Sequence, residues 1–317
     1  MTRYVIAASR LHGRPLPAPE HVPLAEAHRV AEHLAALKAA GTPALINSNA
    51  SSGVRICVSA REHGFDIAGT VFRLGGEPLT SARQRVIESA GARAFTAYGM
   101  SEVGRVGSPC VNPDAPDEVH LLLDRLGVIR RRRRNAADLE ESPVNVYTTL
   151  ITTTPMLLLN VESDDYGVVG ERNCGCALGS LGYSLHMHTI RSYEKLTSEG
   201  MTFLGSDLIR LVEEVLPERF GGAPTDYQFV EGEGEHGLSR VRLLISPRLG
   251  PLDEAAVLRC TNEFVDRLTG DGVWGYRWRE AGTLEVRRDE PHATTASKVL
   301  ALHSLRPKPE AGVAGEA

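Results

Sequence analysis

No apolar run in this chain approaches the ~20 residues that a membrane-spanning helix needs. Its start, Met1 to Pro19, also lacks the charged-then-apolar order of a secretion signal. These absences make cytoplasm the expected location and leave no role for a membrane partner. Cysteine is scarce: the 317 residues hold five, an odd number, with two of them in the tight Cys174-Gly175-Cys176 element. That pattern argues against a disulfide framework and leaves metal binding open. Excess positive charge is missing too. A formal net charge of -5 gives no reason to expect nucleic acid. The run Arg130 to Arg134 stands apart, but no aromatic residues are interleaved with it, so it reads as a solvated loop or edge-strand end. No internal repeat is visible. What is present is 42% hydrophobic content, enough to bury a full core in more than one lobe.

The first third alternates helix and strand signals with short connections, the pattern of a parallel sheet covered by helices. Apolar positions recur from Leu24 through Ala27, Val30, Ala31, Leu34 and Leu37 after Pro23 and stop at Gly41, which predicts an amphipathic helix. A strand is expected at Thr42 to Ile46. Ser51 or Ser52 then caps a helix with Val54, Cys57 and Val58 inward, ending at Gly64. A strand at Thr70 to Leu74, a helix from Thr80 with Ala82, Val86, Ile87 and Ala90 inward, and a strand at Ala92 to Ala97 complete three βα-type steps. After Gly104 the texture is β, with candidates at His120 to Leu123, Gly127 to Arg131, Val144 to Thr153 and Leu157 to Val161. A helix capped near Ser206 opens the final portion. It continues with strands at Tyr227 to Val230 and Val241 to Ile245, a helix from Asp253 to Leu268, and strands at Gly275 to Trp278 and Thr283 to Val286. The expected fold is α/β: a large lobe over residues 1–190 with a parallel βα sheet plus a smaller β-rich sheet, then a small α+β lobe over 191–305. The Pro-, Gly-, Ala- and Glu-rich stretch 306–317 reads as a disordered tail.

In an open parallel sheet, ligands bind beyond the carboxyl ends of the strands. Two turns stand there: Gly75-Gly76-Glu77-Pro78 and Tyr98-Gly99-Met100-Ser101-Glu102. Glycine lets the backbone turn sharply and lets a flat ligand approach, and a strand-end carboxylate can hold magnesium or a ribose hydroxyl. Either turn alone is more often only a turn.

Taken in order, five segments resemble the successive nucleotide-site motifs of the acyl-adenylate-forming (AMP-binding) enzymes. They are Gly75-Gly76-Glu77-Pro78-Leu79-Thr80, Tyr98-Gly99-Met100-Ser101-Glu102, Asp164-Asp165-Tyr166-Gly167, Arg191-Ser192-Tyr193-Glu194 with Gly200 beyond it, and Thr295-Ala296-Ser297-Lys298. Cys174-Gly175-Cys176 is similar to an element of the phenylacetate-CoA ligase branch. The resemblance spans Leu24 to Leu305 and implies a carboxylate-activating ligase: a small carboxylic acid and Mg-ATP give an acyl-adenylate, whose acyl group passes to coenzyme A or another thiol. It implies that Gly75, Gly76, Glu77, Pro78, Tyr98, Gly99, Met100 and Ser101 wall the adenine and acyl pockets. Glu102 binds the magnesium ion, Asp165 the ribose hydroxyls, and Arg191 ribose or phosphate at a hinge. Lys298 bridges carboxylate and α-phosphate, where a mobile positive charge meets the negative charge collecting on phosphorus.

Departures accompany the matches. Ser163-Asp164-Asp165 stands where the family usually has Thr-Gly-Asp, so either aspartate could meet the ribose. Tyr193-Glu194 replaces a more usual acidic pair, and Ser297 replaces a glycine. The Ser/Thr- and Gly-rich loop ending in Lys, which wraps the β- and γ-phosphates with backbone N–H groups, has no counterpart in Met1 to Val22. Asn49-Ala50-Ser51-Ser52-Gly53 lacks its lysine and sits where a helix cap is expected. The alternative to an independent ligase is therefore a truncated or split homologue that binds nucleotide and depends on a partner chain for the missing segment. Separately, Cys110, His120, Cys174 and Cys176 form the ligand set of a closed tetrahedral zinc site, as in related ligases. The competing reading is buried free cysteines.

Overall fold

A computed structural model of the chain describes residues 2–13, 15–134, 141–163, 165–192, 197–198, 201–202, 205–233, 239–269 and 284–304. Asp164, Tyr193, Glu194 and Gly200, the expected strand Gly275 to Trp278 and the tail 306–317 lie outside the described residues. Among the described residues, no helix is long and apolar enough to cross a membrane.

The helix α1 (Thr2–Leu11) opens the chain and is one that apolar periodicity did not single out. Then come α2 (Ala27–Ala39), β1 (Leu45–Ser48), α3 (Ala50–Glu62), β2 (Val71–Leu74), α4 (Ser81–Ser89) and β3 (Arg93–Thr96). The three strands form the expected parallel sheet in the order β1-β2-β3. Its core is built where the helical periodicity meets the strands: Ala31, Leu34, Val54, Cys57 and Ile87 pack on Phe72 and Leu74. Two local details differ from expectation. The stretch from Leu24 begins as a single 3-10 turn before α2, and α3 is capped by Asn49, whose Oδ1 accepts from Ser52 N at 2.8 Å. The serines do not cap α3 because Ser51 is drawn elsewhere: its N–H and hydroxyl both donate to Glu77, each at 2.7 Å. Thr80 caps α4 as its position suggested, accepting from Arg83 N at 3.3 Å.

Beyond β3 the chain leaves the parallel sheet and builds antiparallel structure. Tyr98–Met100, Gly104–Pro109, Val119–Leu121, Leu185–Ser192 and Asp165–Glu171 make a five-stranded sheet. Leu126–Arg134, Glu141–Thr149 and Val161–Glu162 make a second sheet, in which the arginine run extends a long hairpin strand. Leu157 and Leu159, expected in a strand, lie outside it and are exposed. The last sheet runs Leu284–Arg288, Ser239–Ile245, Tyr227–Glu233 and Leu302–Ser304, with Glu254–Thr269 as its long helix. Its core, with Tyr227, Phe229, Leu243 and Val257, also includes Leu208, Leu211 and Leu216. Those three belong to a broken helix: Gly205–Arg210, a π-helical stretch Leu211–Val215, then Leu216–Phe220.

This last portion is pinned to the parallel sheet by buried charge. Asp226, fully buried, is paired with Arg248 and lies 3.4 Å from Arg55 of α3, while Arg248 also reaches Glu62 at the end of α3. The chain then forms a tight turn at 294–298, closed by an Ala293–Val299 bridge and by Ser297 N donating to Thr294 O at 2.8 Å. Ser297 adopts φ 58°, the left-handed region in which a Cβ is crowded. Glycine should relax the turn. Ser297→Gly is expected to raise unfolding free energy by about 1 kcal/mol, the left-handed penalty less glycine's extra chain entropy. A urea titration measures this, and an unchanged or lowered midpoint would show that the serine is not strained.

Candidate active site and metal cluster

The two strand-end turns meet in one cleft of about 510 Å³. Residues 76–78 and 98–102 line it together with Asp165, Arg191 and Lys298. Gly75 sits just behind the lining. Its backbone N–H closes on Ser48 O at 3.0 Å, and a Cβ there would stand 3.0 Å from Ala97 O. Gly76 has φ 76°, and a Cβ would fall 2.9 Å from Lys298 Nζ. The positive φ of the turn favours glycine here, and a Cβ would also push the lysine end aside.

Lys298 Nζ donates to Gly76 O at 2.8 Å. A carbonyl orients the ammonium without neutralising it, and among the described residues no carboxylate pairs with it. Glu102 lies exposed in the turn after Tyr98–Met100 and is among the residues lining the cleft. Tyr98 OH donates to Asp165 Oδ2 at 3.1 Å, and burial, with Tyr147 and Asp165 adding, holds its phenol protonated well above the usual range. Antiparallel pairing sets Tyr166 opposite Arg191 and Asp165 opposite Ser192, and Asp165 and Arg191 both line the cleft.

Two predicted residues are engaged within the protein. Glu77 receives both donors of Ser51 and stands 3.6 Å from Arg83. It thereby places an anion at the N-terminus of α3, where unpaired N–H groups favour one. The segment Asn49-Gly53 is thus an ordinary helix start, already answered by a carboxylate. Arg191 Nη1 donates to Asp117 Oδ2 at 2.9 Å and to Ile190 O at 2.7 Å.

Asp117 was not anticipated. It is buried, lines the cleft and also accepts from Thr189 N and Ile190 N, both at 2.8 Å. Thr189 has φ 54°, unusual for a β-branched residue, and Asp117 holds that kink directly before Arg191. Arg83 and Glu213 were also missed, although both line the cleft. For Arg83 there was a signal: it lies four residues before Ile87 and seven before Ala90, on the inward face of α4, where a charge is out of pattern.

A second constellation lies along the same antiparallel sheet. One ligand atom from each of Cys110, His120, Cys174 and Cys176 falls within 4.8 Å of the others, and all four residues are buried. His120 Nδ1 is 2.6 Å from Tyr183 O, which fixes it as the donor and leaves Nε2 facing the sulfurs of Cys176 at 3.1 Å and Cys174 at 3.7 Å. Tetrahedral zinc with these ligands sets sulfur and nitrogen about 3.6 Å apart. The donor set and spacing fit such an ion. Burial opposes ionisation of Cys176, but N–H groups of the Ala177–Ser180 turn, with Cys174 and His120, outweigh it and bring the thiol down to about 6. Burial pushes Cys110 up to about 12, so a cation is what would make that sulfur a thiolate. Around the four, Arg172 Nη2 reaches Cys110 Sγ at 3.5 Å and its Nε donates to Glu118 at 2.8 Å. Glu118 also stands 2.6 Å from His186 Nδ1.

No protein-family profile and no curated protein sequence matches the chain. Solved structures do. A 2-hydroxyisobutyryl-CoA ligase in the postadenylation state, in complex with R3-HIB-AMP, aligns at 16% identity with a TM-score of 0.54 over 95% of this chain and 62% of that one. The anthranilate CoA ligase AuaEII in complex with anthranoyl-AMP aligns at 12% identity with a TM-score of 0.53 over 90% of this chain and 52% of its own. The chain thus spans between half and two thirds of the length of these ligases. Over that span, it has the fold of the adenylate-forming acyl-CoA ligases.

Proposed function

We propose that this chain carries the adenylate-binding half-site of a carboxylate-activating ligase of the phenylacetate-CoA ligase type. The observation that carries the reading is Lys298, an ammonium without a carboxylate partner among the described residues, held over Gly76 in a cleft that also presents Glu102 and Asp165. Two ligases of the same fold hold an acyl-AMP. In the proposed reaction, a carboxylate oxygen of a small acid attacks the α-phosphorus of ATP, the bond to the bridging oxygen breaks, and pyrophosphate leaves. A thiol sulfur, of coenzyme A or another acceptor, then attacks the acyl carbon and releases AMP.

Lys298 draws the two anions together and offsets the charge gathered on the phosphorus oxygens. Asp165, oriented by Tyr98, accepts the ribose hydroxyls. Glu102 would hold magnesium, a hard cation on a hard oxygen, which shields the phosphate charge. Cys110, His120, Cys174 and Cys176 would hold a structural zinc ion that cross-links the antiparallel sheet, with His120 fixed by Tyr183 in the required tautomer.

A specific observation favours a second reading, in which the chain depends on a partner that supplies the phosphate loop. Among the described residues, no Gly- and Ser-rich loop ending in lysine faces the cleft, and Glu77 already occupies the N-terminus of α3. Losing the positioning of a triphosphate costs several orders of magnitude in rate. The chain alone is therefore expected to bind adenine nucleotide weakly and to show little carboxylate-dependent pyrophosphate exchange.

Pyrophosphate exchange across aromatic and aliphatic acids, with and without a segment carrying the loop, tests both readings. Turnover should appear with the segment and vanish in Lys298→Ala with the fold intact. Robust exchange by the chain alone would show the loop to be dispensable, and no exchange in either case would sink the ligase reading. Asp165→Ala should weaken AMP binding about 10-fold by calorimetry, the loss of a charged hydrogen bond. An unchanged affinity would remove Asp165 from the ribose site. Elemental analysis should find about one zinc per chain, and Cys176→Ser should lose it together with several degrees of melting temperature. A metal-free chain that melts no lower would support buried free cysteines.

A further inference from the structure

Arg83 is 3% exposed and Glu213 4% exposed, yet each is charged and they come from distant parts of the chain. Arg83 Nε donates to Glu213 Oε1 at 2.9 Å, and Thr80 Oγ1 donates to the other carboxylate oxygen. Glu213 is carried on the π-helical stretch Leu211–Val215, a rare local geometry that recurs where a helix is distorted for function. The remaining fork of Arg83 turns toward the lysine turn: Nη2 donates to Val299 O at 3.0 Å. Val299 N in turn donates to Ser51 Oγ at 2.9 Å, and Asn49 Nδ2 donates to Ala296 O at 2.6 Å. The backbone on both sides of Lys298 is thus held by side chains of α4 and of the start of α3. Two sequence-distant segments, the start of α3 and α4, converge on the backbone flanking the lysine.

From this geometry we infer that Arg83 is the positioning residue for Lys298. Clamped by Glu213, it grips the Val299 carbonyl and holds the 294–298 turn so that the ammonium enters the cleft over Gly76. The inference rests on the adenylation reading for its purpose, and on hydrogen bonds alone for its geometry. Arg83 lies in the cleft wall, but its fork is directed at Glu213 and Val299, and so it acts through the neighbouring backbone. Lysine cannot replace it, because a single ammonium does not reproduce the planar fork that spans a carboxylate and a carbonyl. The same arrangement makes the closed position of Lys298 conditional on the Arg83–Glu213 contact. When that contact opens, the turn loses a carbonyl anchor and the ammonium is free to leave.

The experiment reads the lysine itself and needs no turnover. The full chain is briefly treated with formaldehyde and cyanoborohydride, and methylation of Lys298 is compared with that of Lys38 by peptide mass spectrometry. Lys38 pairs with Asp66, neither of which lines the cleft, and serves as the internal reference. In Arg83→Gln the ratio of Lys298 to Lys38 labelling is expected to rise roughly 5-fold, the factor given by losing about one hydrogen bond, with Arg83→Lys restoring little of it. Ser51→Ala, which removes the acceptor of the Val299 N–H, should raise the ratio about 2-fold even if Arg83→Gln does not fold. An unchanged ratio in folded Arg83→Gln, or in Ser51→Ala should that be the only folded variant, overturns the inference. So does an equal rise at both lysines, which would signify general loosening. Protection of wild-type Lys298 by added AMP is a separate arm: its absence counts against the adenylation reading and leaves the positioning result standing.

Discussion

The guanidinium of Arg83 is buried between the two parts of this fold, and much of the candidate site is arranged around it. Removing such a group from water costs several kcal/mol unless its donors are answered. Here Nε is met by Glu213 and Nη2 by the Val299 carbonyl, while Nη1 makes no hydrogen bond and is answered by charge alone, 3.6 Å from Glu77. A hydrophobic plug of the same volume could stabilise the junction equally well. It could not select one peptide carbonyl in the lysine turn or require a carboxylate at one point of a π-helical turn. Breaking the pair from one side would leave the other charge buried and unanswered, at a cost of about 3–5 kcal/mol. That asymmetry ties the conformation of one part to the integrity of the other.

A division of labour among the acids follows from which donors reach them. Glu77 is saturated by the start of α3, and Asp117 by two backbone N–H groups and Arg191. These two shape the cleft: one closes the turn after β2, the other fixes the kink before Arg191. Asp165 and Glu102 stand where a ligand can reach, on the rim of the same cleft. Under the proposed function, the fixed acids would hold the glycine-rich turns in shape and the accessible ones would meet hydroxyls and a cation. Their sequence contexts are alike, since each lies beside a strand end or turn. What separates them is the number of N–H groups within reach, which depends on contacts between residues as far apart as Ser51 and Glu77.

This explains how much could be read from the residues in advance. The three βα steps were legible because apolar spacing and capping chemistry are local: Thr80 caps α4, and Gly41, Gly64 and Gly91 each take positive φ just past a helix. Strand edges were less so. β1 begins at Leu45, later than Thr42, because it is an edge strand with alternating half-exposed residues and little apolar run to mark it. The cleft motifs were legible through their order along the chain. Arg83 and Glu213 were not, because a charge on an apolar helix face becomes interpretable only when its partner is seen, and that partner lies 130 residues away. Asp117 was hidden by its loop, whose Pro- and Asp-rich composition reads as solvent-exposed although the residue is buried.

That loop also joins the two constellations of the large sheet. Asp117, Glu118 and His120 are nearly consecutive and each is buried, but each serves a different end. Asp117 reaches forward to the backbone before Arg191, Glu118 to Arg172 and His186, and His120 to the sulfurs of Cys174 and Cys176. Alternation along the strand at Val119–Leu121 puts Glu118 and His120 on one side, toward the cysteine cluster. Asp117, one residue earlier, faces the cleft. The segment is paired with a strand on either side, which fixes its register and keeps Asp117 against the kinked backbone at Thr189. The kink, unfavourable for a β-branched residue, persists because the segment opposite is tied down. Three positions of backbone thus separate the acid that holds Arg191 at the cleft rim from the histidine that faces the cysteines.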